Sequence, residues 1–314
     1  MVRNGRWSPT SASFDKRAQG GAPGMMRRLP DFLIIGAMKC ATTTLHKQLA
    51  RQPGLLMSRV KEPNFFSDDA CYARGFDWYS MLFQWAAEGD LCGESSTHYT
   101  KLPTYPRTVE RLAQAIPRPK LIYVMRHPID RLISQYVHEL TTGRITVGIE
   151  EAVDRHPELI DYSRYSMQLA PYIQAFGRES ILPVGFGRLV RHSQDELERI
   201  CRFLGYQGQP RWDFALGPQN VGRERLRRSM VRHVLVQAPI LREIRQAFIP
   251  RSWSESIKTL WRARIERPKL DPALLNHLQE TFDEDLARLG GWLGSPLNCE
   301  NFADLTGEQP LELV

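Results

Sequence analysis

The amino-acid sequence predicts a single α/β domain in which a P-loop-like parallel β-sheet is covered by helices on both faces. Three short apolar runs begin at Phe32, Leu121 and Ile181, and a segment with helical spacing follows each of them. Strands that alternate with helices favour a parallel sheet, because each crossover lays a helix on one face. The chain has 314 residues, of which 42% are hydrophobic, which is enough for one large core.

The first unit is a strand, a tight loop and a helix. Residues 32–35 are a continuous apolar run that Gly36 ends, which indicates a buried strand. In residues 42–50, Leu45 and Leu49 stand four apart and predict a helix that stops before a Pro-Gly pair. This order is typical of the opening of a nucleotide-binding α/β unit.

Two later units follow the same plan. Apolar positions in residues 109–116 predict a helix, the run 121–125 predicts a strand, and a helix over residues 129–140 comes next. Residues 181–186 predict a further strand. The pattern Ser193–Glu196 is that of a capping box, so it predicts the start of a helix that ends at the next glycine.

Composition sets the predicted domain boundaries. Residues 1–30 combine Gly, Ser, Pro and basic side chains without an apolar run, which predicts a disordered lead-in and argues against a secretory signal or a membrane anchor. Residues 31–300 form the predicted domain, and residues 301–314 a polar, acidic tail that we expect to fray. No run of about 18 apolar residues occurs, so no transmembrane segment is predicted.

Charge and cysteines limit the partners. Lys and Arg number 42 against 35 Asp and Glu, and the net charge of +7 favours an anionic partner without choosing among a nucleotide, a sulfated ligand, nucleic acid or an anionic membrane. The five cysteines include no C-x-x-C pair, which indicates neither a disulfide framework nor a zinc site. We therefore expect reduced thiols and a cytoplasmic location.

The loop between the first strand and helix reads Gly36-Ala37-Met38-Lys39-Cys40-Ala41-Thr42-Thr43-Thr44. Loop amides and a helix N-terminus form an anion cradle at such a point, to which Lys39 adds a positive charge and the threonines add hydroxyl donors. A Walker A loop requires G-x-x-x-x-G-K-[ST], which this sequence lacks. Taken alone, the loop fits equally well a capped helix beside a solvated lysine.

The strand at 121–125 ends in Arg126, where a kinase-like NTPase has an Asp that holds magnesium. This replacement favours a phosphate or sulfate donor that cationic side chains bind without a metal.

Three segments together resemble a known family. Residues 35–43 resemble I-G-x-x-K-x-G-T-T, the 5′-phosphosulfate loop of sulfotransferases that use 3′-phosphoadenosine 5′-phosphosulfate (PAPS), and residues 124–136 resemble their 3′-phosphate motif, R-x-P-x-x-R-x-x-S-x-Y. Residues 61–66 with 76–79 resemble K-E-x-x-F-F followed by W-Y, which marks the branch related to heparan sulfate and bacterial carbohydrate sulfotransferases.

The resemblance implies how PAPS is bound. Lys39 is expected beside the bridging oxygen, where it stabilises charge on the departing phosphate. Other loop residues are expected to hold the 5′-phosphosulfate: Cys40, Ala41, Thr42, Thr43 and Thr44. Arg126 and Ser134 are expected to bind the 3′-phosphate. Ala41 replaces the family's loop glycine, which disfavours a positive φ at that position, although we expect donor binding to survive.

Arg223 and Arg225 stand where the family has a basic loop over the nucleotide, and they are further candidates for the 3′-phosphate. A solvated, basic helix start is the alternative. Tyr165 resembles a family tyrosine near the nucleotide, and a core aromatic is the alternative there.

Two residues compete for the role of general base. Glu62 matches the carboxylate of K-E-x-x-F-F and is the first choice, with a salt bridge to Lys61 as the alternative role. His98 follows a pattern of the small-molecule sulfotransferases, with a structural histidine as the alternative. The carbohydrate branch usually reads E-K-S where this chain has Glu94-Ser95-Ser96, so the acceptor side lacks a lysine. Four aromatics fit either an acceptor cleft or the core: Phe65, Phe66, Trp78 and Tyr79.

The sequence therefore predicts an enzyme that transfers a sulfuryl group from PAPS to a hydroxyl or amine of a glycan, a glycolipid or another small acceptor, in a bacterial cell. A kinase-like phosphotransferase and a nucleic-acid-binding module are the alternatives. The missing G-K-[ST] argues against the first, and the lack of a helix-turn-helix, zinc or RNP pattern argues against the second.

Overall fold

The computed structural model describes residues 28–217 and 268–314. In this part of the chain, five parallel strands form one sheet in the order β2-β3-β1-β4-β5. The strands are β1 (Phe32–Gly36), β2 (Leu55–Met57), β3 (Leu91–Ser95), β4 (Lys120–Met125) and β5 (Ile181–Gly185). Helices flank this sheet, which confirms the predicted α/β fold.

The helices of the described residues are numbered here in chain order. The first six are α1 (Thr42–Leu49), α2 (Asp69–Tyr72), α3 (Gly75–Ser80), α4 (Thr108–Ala115), α5 (Pro128–Thr142) and α6 (Ile149–Arg155). The others are α7 (Glu158–Asp161), α8 (Tyr165–Phe176), α9 (Phe186–Arg191), α10 (Ser193–Leu204), α11 (Pro272–Leu293) and α12 (Phe302–Glu308). Short 3-10 turns occur at Met81–Phe83, Thr97–Thr100, Arg178–Ser180 and Phe214–Leu216. None of the described helices is long and apolar enough to cross a membrane.

Strand order places the carboxyl ends of β1, β3 and β4 side by side. From β1 the chain first builds β2 and β3 on one side, and then β4 and β5 on the other. Ligands of open α/β sheets bind at such a switch point, in the crevice beyond the carboxyl ends of the strands. Segments that follow these strands are therefore the first place to look for a site.

The centre of the sheet is closely packed. Phe32 of β1 lies opposite Gly93 of β3 and Lys120 of β4. A Cβ atom on Gly93 would lie 2.1 Å from the Phe32 ring, so the close approach of these strands requires glycine there. Residues 121–125 of β4 are fully buried, as expected for a strand covered on both faces.

Two buried glutamines, Gln48 in the last turn of α1 and Gln52 just after it, anchor the C-terminal end of this helix. The Gln48 side chain donates to the Asp213 carbonyl and accepts from the Asp213 amide, both at 2.9 Å. Gln52, one turn later, makes the same pair of bonds to the backbone of Arg211 at 3.0 and 2.9 Å. These bonds attach the C-terminal end of α1 to the backbone of residues 211–213.

The capping box predicted at Ser193–Glu196 is wrong, although α10 begins there. The Ser193 hydroxyl donates backwards to the carbonyls of Leu189 and Val190, at 2.8 and 3.2 Å. The Glu196 carboxylate instead forms ion pairs with Arg188 and Arg199, so neither Ser193 nor Glu196 caps the helix.

The expectation of a frayed C-terminus is also wrong. Residues 302–308 form α12, which packs against α9. Phe302 is 1% exposed, and Leu311 beyond the helix is also buried. The polar composition of this segment concealed the apolar side chains that attach it to the core.

Candidate active site at the carboxyl edge of the sheet

The loop after β1 lies against the end of β4. The Ala37 amide donates to the Val124 carbonyl at 2.8 Å, which ties the loop to the neighbouring strand. Cys40 turns into the core with no exposed area, and burial raises the pKa of its thiol to about 11. Its amide donates to the Ala37 carbonyl at 3.2 Å. The Cys40 thiol lies 3.7 Å from the Met38 carbonyl, so both donor groups of Cys40 are directed to the loop itself, and this geometry does not support the predicted contact between Cys40 and a donor phosphate.

Two residues of this loop adopt left-handed backbone angles. Lys39 has a φ of 71° and Ala41 has a φ of 61° at the N-cap of α1. Glycine tolerates this region without a steric penalty, which explains why a loop glycine suits the position of Ala41. Alanine takes up the conformation here in its place.

The first turn of α1 presents backbone donors at the carboxyl edge. The amides of Thr44 and Leu45 bond to the Ala41 carbonyl at 2.9 and 3.1 Å. The preceding amides have no partner within the helix, because helix geometry provides none. Thr42 is buried, and Thr43 is half-buried. An anion placed before α1 would meet these amides and the positive end of the helix dipole.

Arg126 directly follows β4, and Tyr165 of α8 fixes its backbone. The Tyr165 hydroxyl accepts from the Arg126 amide at 3.2 Å and donates to its carbonyl. The guanidinium lies 5.1 Å from the Phe186 ring and 3.7 Å from the Asp130 carboxylate. Its Nε is enclosed, with no hydrogen-bond partner in the described residues. Tyr165 itself is fully buried, as the core alternative for this residue predicted.

Ser134 lies on α5 four residues after Asp130, so these two residues share one side of the helix, while Arg126 precedes the helix and contacts Asp130. Ser134 is half-buried. An anion bound between Arg126 and Ser134 would replace Asp130 as the partner of the guanidinium.

Glu62 lies on the other side of the edge, in the segment that follows β2. Its φ of 60° is rare for a glutamate and marks a strained backbone. The Glu62 amide donates to the Ser95 carbonyl at 2.9 Å. Its carboxylate accepts from Lys61 Nζ at 2.5 Å and from the Thr97 hydroxyl at 3.1 Å.

These contacts keep the Glu62 carboxyl ionised. Burial alone would raise its pKa, but the charge of Lys61, the hydrogen bonds from Lys61 and Thr97, and the charge of Lys101 together hold the pKa below the ordinary value. At neutral pH, Glu62 is therefore available as a proton acceptor.

His98 lies on the turn Thr97–Thr100, next to the Glu62 contact. Its ring stacks on Tyr105, with 4.7 Å between the centroids. Burial, together with the charge of Lys101, lowers the pKa of His98 to about 4, against the opposing influence of Glu62. Its Nδ1 is enclosed and has no hydrogen-bond partner in the described residues. A neutral imidazole thus faces the neighbourhood of Glu62.

His46 reaches the same neighbourhood from α1, and sequence reasoning missed it. Burial and the charge of Lys61 lower the pKa of His46 to about 4, while Glu62 acts in the opposite direction. Its Nδ1 is also enclosed without a partner in the described part of the chain. The only sequence signal is its position three residues after Thr43, on the same side of the helix.

Lys101 is the second residue that the sequence did not indicate. It follows the turn that carries His98, and its ammonium lies 5.6 Å from the Tyr162 ring. Burial lowers the pKa of Lys101 to about 8, although Glu62 and Glu139 act to raise it. The chain has Ser95 where the resembling branch has a lysine, and Lys101 is a second lysine whose charge acts on Glu62 in this structure.

The aromatic residues of the K-E-x-x-F-F segment belong mainly to the core. Phe65, Phe66 and Tyr79 have no exposed area, and Phe65 stacks on Tyr79 at 4.3 Å. Trp78 is half-buried, and the Arg74 guanidinium lies 3.7 Å from its ring. The core alternative therefore holds for three of the four.

Arg223 and Arg225 lie outside the described residues. Across residues 28–217 and 268–314, no three His, Cys, Asp or Glu residues are grouped so that they could hold a metal ion. The described site thus consists of the anion loop with Lys39, the pair Arg126 and Ser134, and the cluster around Glu62.

Comparison with known proteins adds to this geometry. Residues 78–210 match the model of the sulfotransferase family. The chain is 30% identical over 200 residues to heparan sulfate glucosamine 3-O-sulfotransferase 6 from Homo sapiens, a match that covers 59% of this chain and 57% of that protein. It is 35% identical over 122 residues to the human bifunctional heparan sulfate N-deacetylase/N-sulfotransferase 2, covering 37% of this chain and 14% of that protein.

A solved structure shares the fold. The crystal structure of a sulfotransferase from Alicyclobacillus acidocaldarius superposes with a TM-score of 0.60 at 24% identity, and the match covers 86% of this chain and 98% of that one. The chain spans under three fifths of the length of the curated relatives reported above.

Proposed function

Because the chain belongs to the sulfotransferase family, we propose that it is an enzyme that transfers a sulfuryl group from PAPS to a glycan or another small acceptor. The observation that carries this proposal is the arrangement at the carboxyl edge. An anion loop with Lys39 and the incompletely bonded Arg126 meet there, next to an ionised Glu62. A doubly phosphorylated donor requires two anion sites, and this edge offers two.

The chain's own residues suggest how the donor is held. The amides at the start of α1, with the hydroxyls of Thr42 and Thr43, fit the 5′-phosphosulfate. Arg126 and Ser134 fit the 3′-phosphate, because the Nε atom of Arg126 is enclosed and has no hydrogen-bond partner in residues 28–217 and 268–314. PAPS supplies the sulfuryl group, whose bond to the 5′-phosphate oxygen breaks as the bond to the acceptor forms.

Lys39 and Glu62 divide the chemistry in this proposal. Lys39 lies in the loop before α1, where a cation stabilises negative charge on the departing phosphate. Glu62 removes the acceptor proton, since its carboxylate is ionised and is oriented by Lys61 and Thr97. His98 remains the alternative base, because its neutral imidazole lies in the same cluster.

The location of the enzyme stays a prediction. All five cysteines are free thiols in the structure. This supports a reducing compartment such as the cytoplasm.

Calorimetric binding tests the donor assignment. We expect adenosine 3′,5′-bisphosphate to bind without a metal and ATP with magnesium to bind more weakly. Arg126→Ala should weaken the first interaction by about tenfold or more, the usual effect of losing a hydrogen bond to a charged group. Arg118→Ala, which changes an exposed arginine two residues before the opposite end of β4, is the matched control and should leave the affinity unchanged.

Preference for ATP with magnesium would revive the kinase reading and end this proposal. The role of Lys39 has its own test, the slow transfer from PAPS to water, measured as release of adenosine 3′,5′-bisphosphate. Lys39→Ala should slow this release by about a hundredfold or more with an unchanged circular dichroism spectrum. Normal release by a folded variant would remove Lys39 from the mechanism.

A further inference from the structure

The relatives leave one property of the acceptor open. One relative is named for transfer to oxygen and another for transfer to nitrogen. Aliphatic amines are protonated at neutral pH, because their pKa values lie between about 8 and 10, whereas hydroxyls are neutral. The surroundings of Glu62 can therefore distinguish the two classes by charge.

The Glu62 carboxylate already has a cationic partner. Lys61 Nζ lies 2.5 Å from one oxygen, and the Thr97 hydroxyl donates to the other at 3.1 Å. An incoming ammonium group would have to compete with a lysine that is adjacent in sequence. A hydroxyl needs only to place its hydrogen against an oxygen, which such a carboxylate accepts through its remaining lone pairs.

The other polar groups around Glu62 suit a neutral ligand. His46 approaches from α1 and His98 from the turn after β3, and each has an enclosed Nδ1 without a partner in the described residues. A neutral imidazole has one donor and one acceptor nitrogen. A hydroxyl likewise donates one hydrogen bond and accepts others, so the two groups match.

The pKa values of three basic side chains near Glu62 indicate whether this region stabilises a positive charge. The pKa values of His46, His98 and Lys101 are all lowered, with burial as the largest cause in each case. Lys61 adds to the effect at His46, and Lys101 adds to it at His98. The acidic groups Glu62, Glu139 and Asp68 act in the opposite direction and do not compensate.

A substrate ammonium group would meet the same loss of water and the same repulsion as these side chains. From this geometry we propose that the enzyme sulfates a neutral hydroxyl and discriminates against amines, so that its product is an O-sulfate. The inference rests on the proposed sulfotransferase function and specifies its acceptor class.

The corresponding step balances as follows. The acceptor oxygen forms a bond to sulfur while the bond between sulfur and the bridging oxygen of the donor breaks. The hydroxyl proton passes to the Glu62 carboxylate, and adenosine 3′,5′-bisphosphate leaves with the electron pair of the broken bond. No other reactant is needed.

A glucosamine hexamer, which carries free amines and free hydroxyls on the same rings, provides the direct test at about pH 6, where most of its amines are protonated. After incubation with PAPS, mass spectrometry and NMR locate the sulfate. We expect O-sulfate to exceed N-sulfate by about tenfold or more, the equivalent of one pKa unit of discrimination. Predominant N-sulfate from an enzyme that binds adenosine 3′,5′-bisphosphate would overturn this inference alone, whereas failure to bind that nucleotide would overturn the proposed function.

A second measurement applies even if the hexamer is not an acceptor. Long-range ¹⁵N NMR of the imidazoles, with adenosine 3′,5′-bisphosphate bound, should show His46 and His98 neutral at pH 6. Lys101→Glu should raise the pKa of His98, and Lys120→Glu, the same charge change at the start of β4, should not. A histidine protonated at pH 6, or a His98 that ignores Lys101→Glu, would contradict the proposal.

Discussion

Two glutamates, Glu94 of β3 and Glu196 of α10, have no exposed area, yet their surroundings differ completely. Glu196 accepts from Arg188 Nε at 2.9 Å and from Arg199 Nε at 3.1 Å. Glu94 lies instead beside the hydroxyls of Tyr79 and Tyr99, and no cation of the described residues shifts its pKa. Burial raises the pKa of Glu94, and the two tyrosine hydroxyls lower it by less. The resulting pKa is about 8.

This difference distinguishes a structural ion-pair network, around Glu196, from a candidate ligand site, at the carboxyl edge of the sheet. Around Glu196 the remaining donors are also used, because Arg199 donates to the carbonyls of Pro183 and Leu311 at 2.7 and 2.9 Å. This network ties the C-terminal residues to β5. Near the carboxyl edge, by contrast, both oxygens of Glu94 and the enclosed nitrogens of His46, His98 and Arg126 have no hydrogen-bond partner in the described residues. Since buried polar groups are normally paired, such a concentration indicates where a ligand completes the bonding.

The largest expected effect lies in the structural anchor. Glu196→Ala leaves the largely enclosed guanidinium groups of Arg188 and Arg199 without their carboxylate, and we expect it to lower the free energy of unfolding by about 3 kcal/mol. Chemical denaturation measures this value. Glu198→Ala, an exposed glutamate on the same helix, is the control and should change it by less than about 0.5 kcal/mol. If both variants changed the free energy of unfolding equally, Glu196 would not be a structural anchor.

The next effect concerns catalysis rather than stability. Glu62→Gln preserves size but cannot accept the proton, so turnover should fall by about a hundredfold or more. His98→Gln keeps a polar side chain and should reduce turnover less, if Glu62 is the base. Both variants should bind adenosine 3′,5′-bisphosphate like the parent. A larger loss in His98→Gln would assign the base to His98.

A third test uses the pH dependence of stability. Glu94 is protonated in the folded protein up to about pH 8 but ionises near its ordinary pKa when unfolded. Glu94 therefore stabilises the folded parent protein most at low pH. As the pH rises from 5 to 8, the free energy of unfolding of the parent falls by up to about 1.4 kcal/mol per pH unit. Glu94→Gln removes this loss, so its advantage over the parent should grow across that range in thermal unfolding. An advantage independent of pH would mean that Glu94 is ionised when folded.

The smallest expected effect is in the anion loop. Ala41→Gly relieves a left-handed alanine but adds freedom to the unfolded chain, and the balance should be a gain of about 0.5–1 kcal/mol. Thermal unfolding measures the gain, and calorimetry with adenosine 3′,5′-bisphosphate shows whether the loop still binds. A destabilised Ala41→Gly variant would show that the alanine methyl packs usefully in the loop.

Long apolar runs made much of the fold predictable. β1, β4 and β5 appear as predicted, together with α1, α5 and α10, because their residues bury continuous faces. Two strands were not predicted. β2 has only three residues, and β3 ends in Glu94 and Ser95, which are polar yet fully buried. A strand whose polar residues are enclosed by other segments has no clear period in the sequence.

The site divides in the same way. The loop with Lys39 and the position of Arg126 follow from the sequence, because both directly succeed strands whose carboxyl ends meet. Their roles stay predictions. His46 and Lys101 were missed, since only the packing of α1 and of the turn after β3 brings them towards Glu62.

One close contact has a consequence for redesign. A Cβ atom on Gly36 would lie 2.0 Å from the Thr100 hydroxyl, which itself donates to the Ile35 carbonyl at 2.8 Å. The end of β1 and the turn that carries His98 thus pack closely together, because Gly36 has no side chain and the Thr100 hydroxyl bonds to the strand. A chimaera that imports another acceptor loop has to retain both Gly36 and Thr100, or the imported loop will arrive displaced from the donor half of the site.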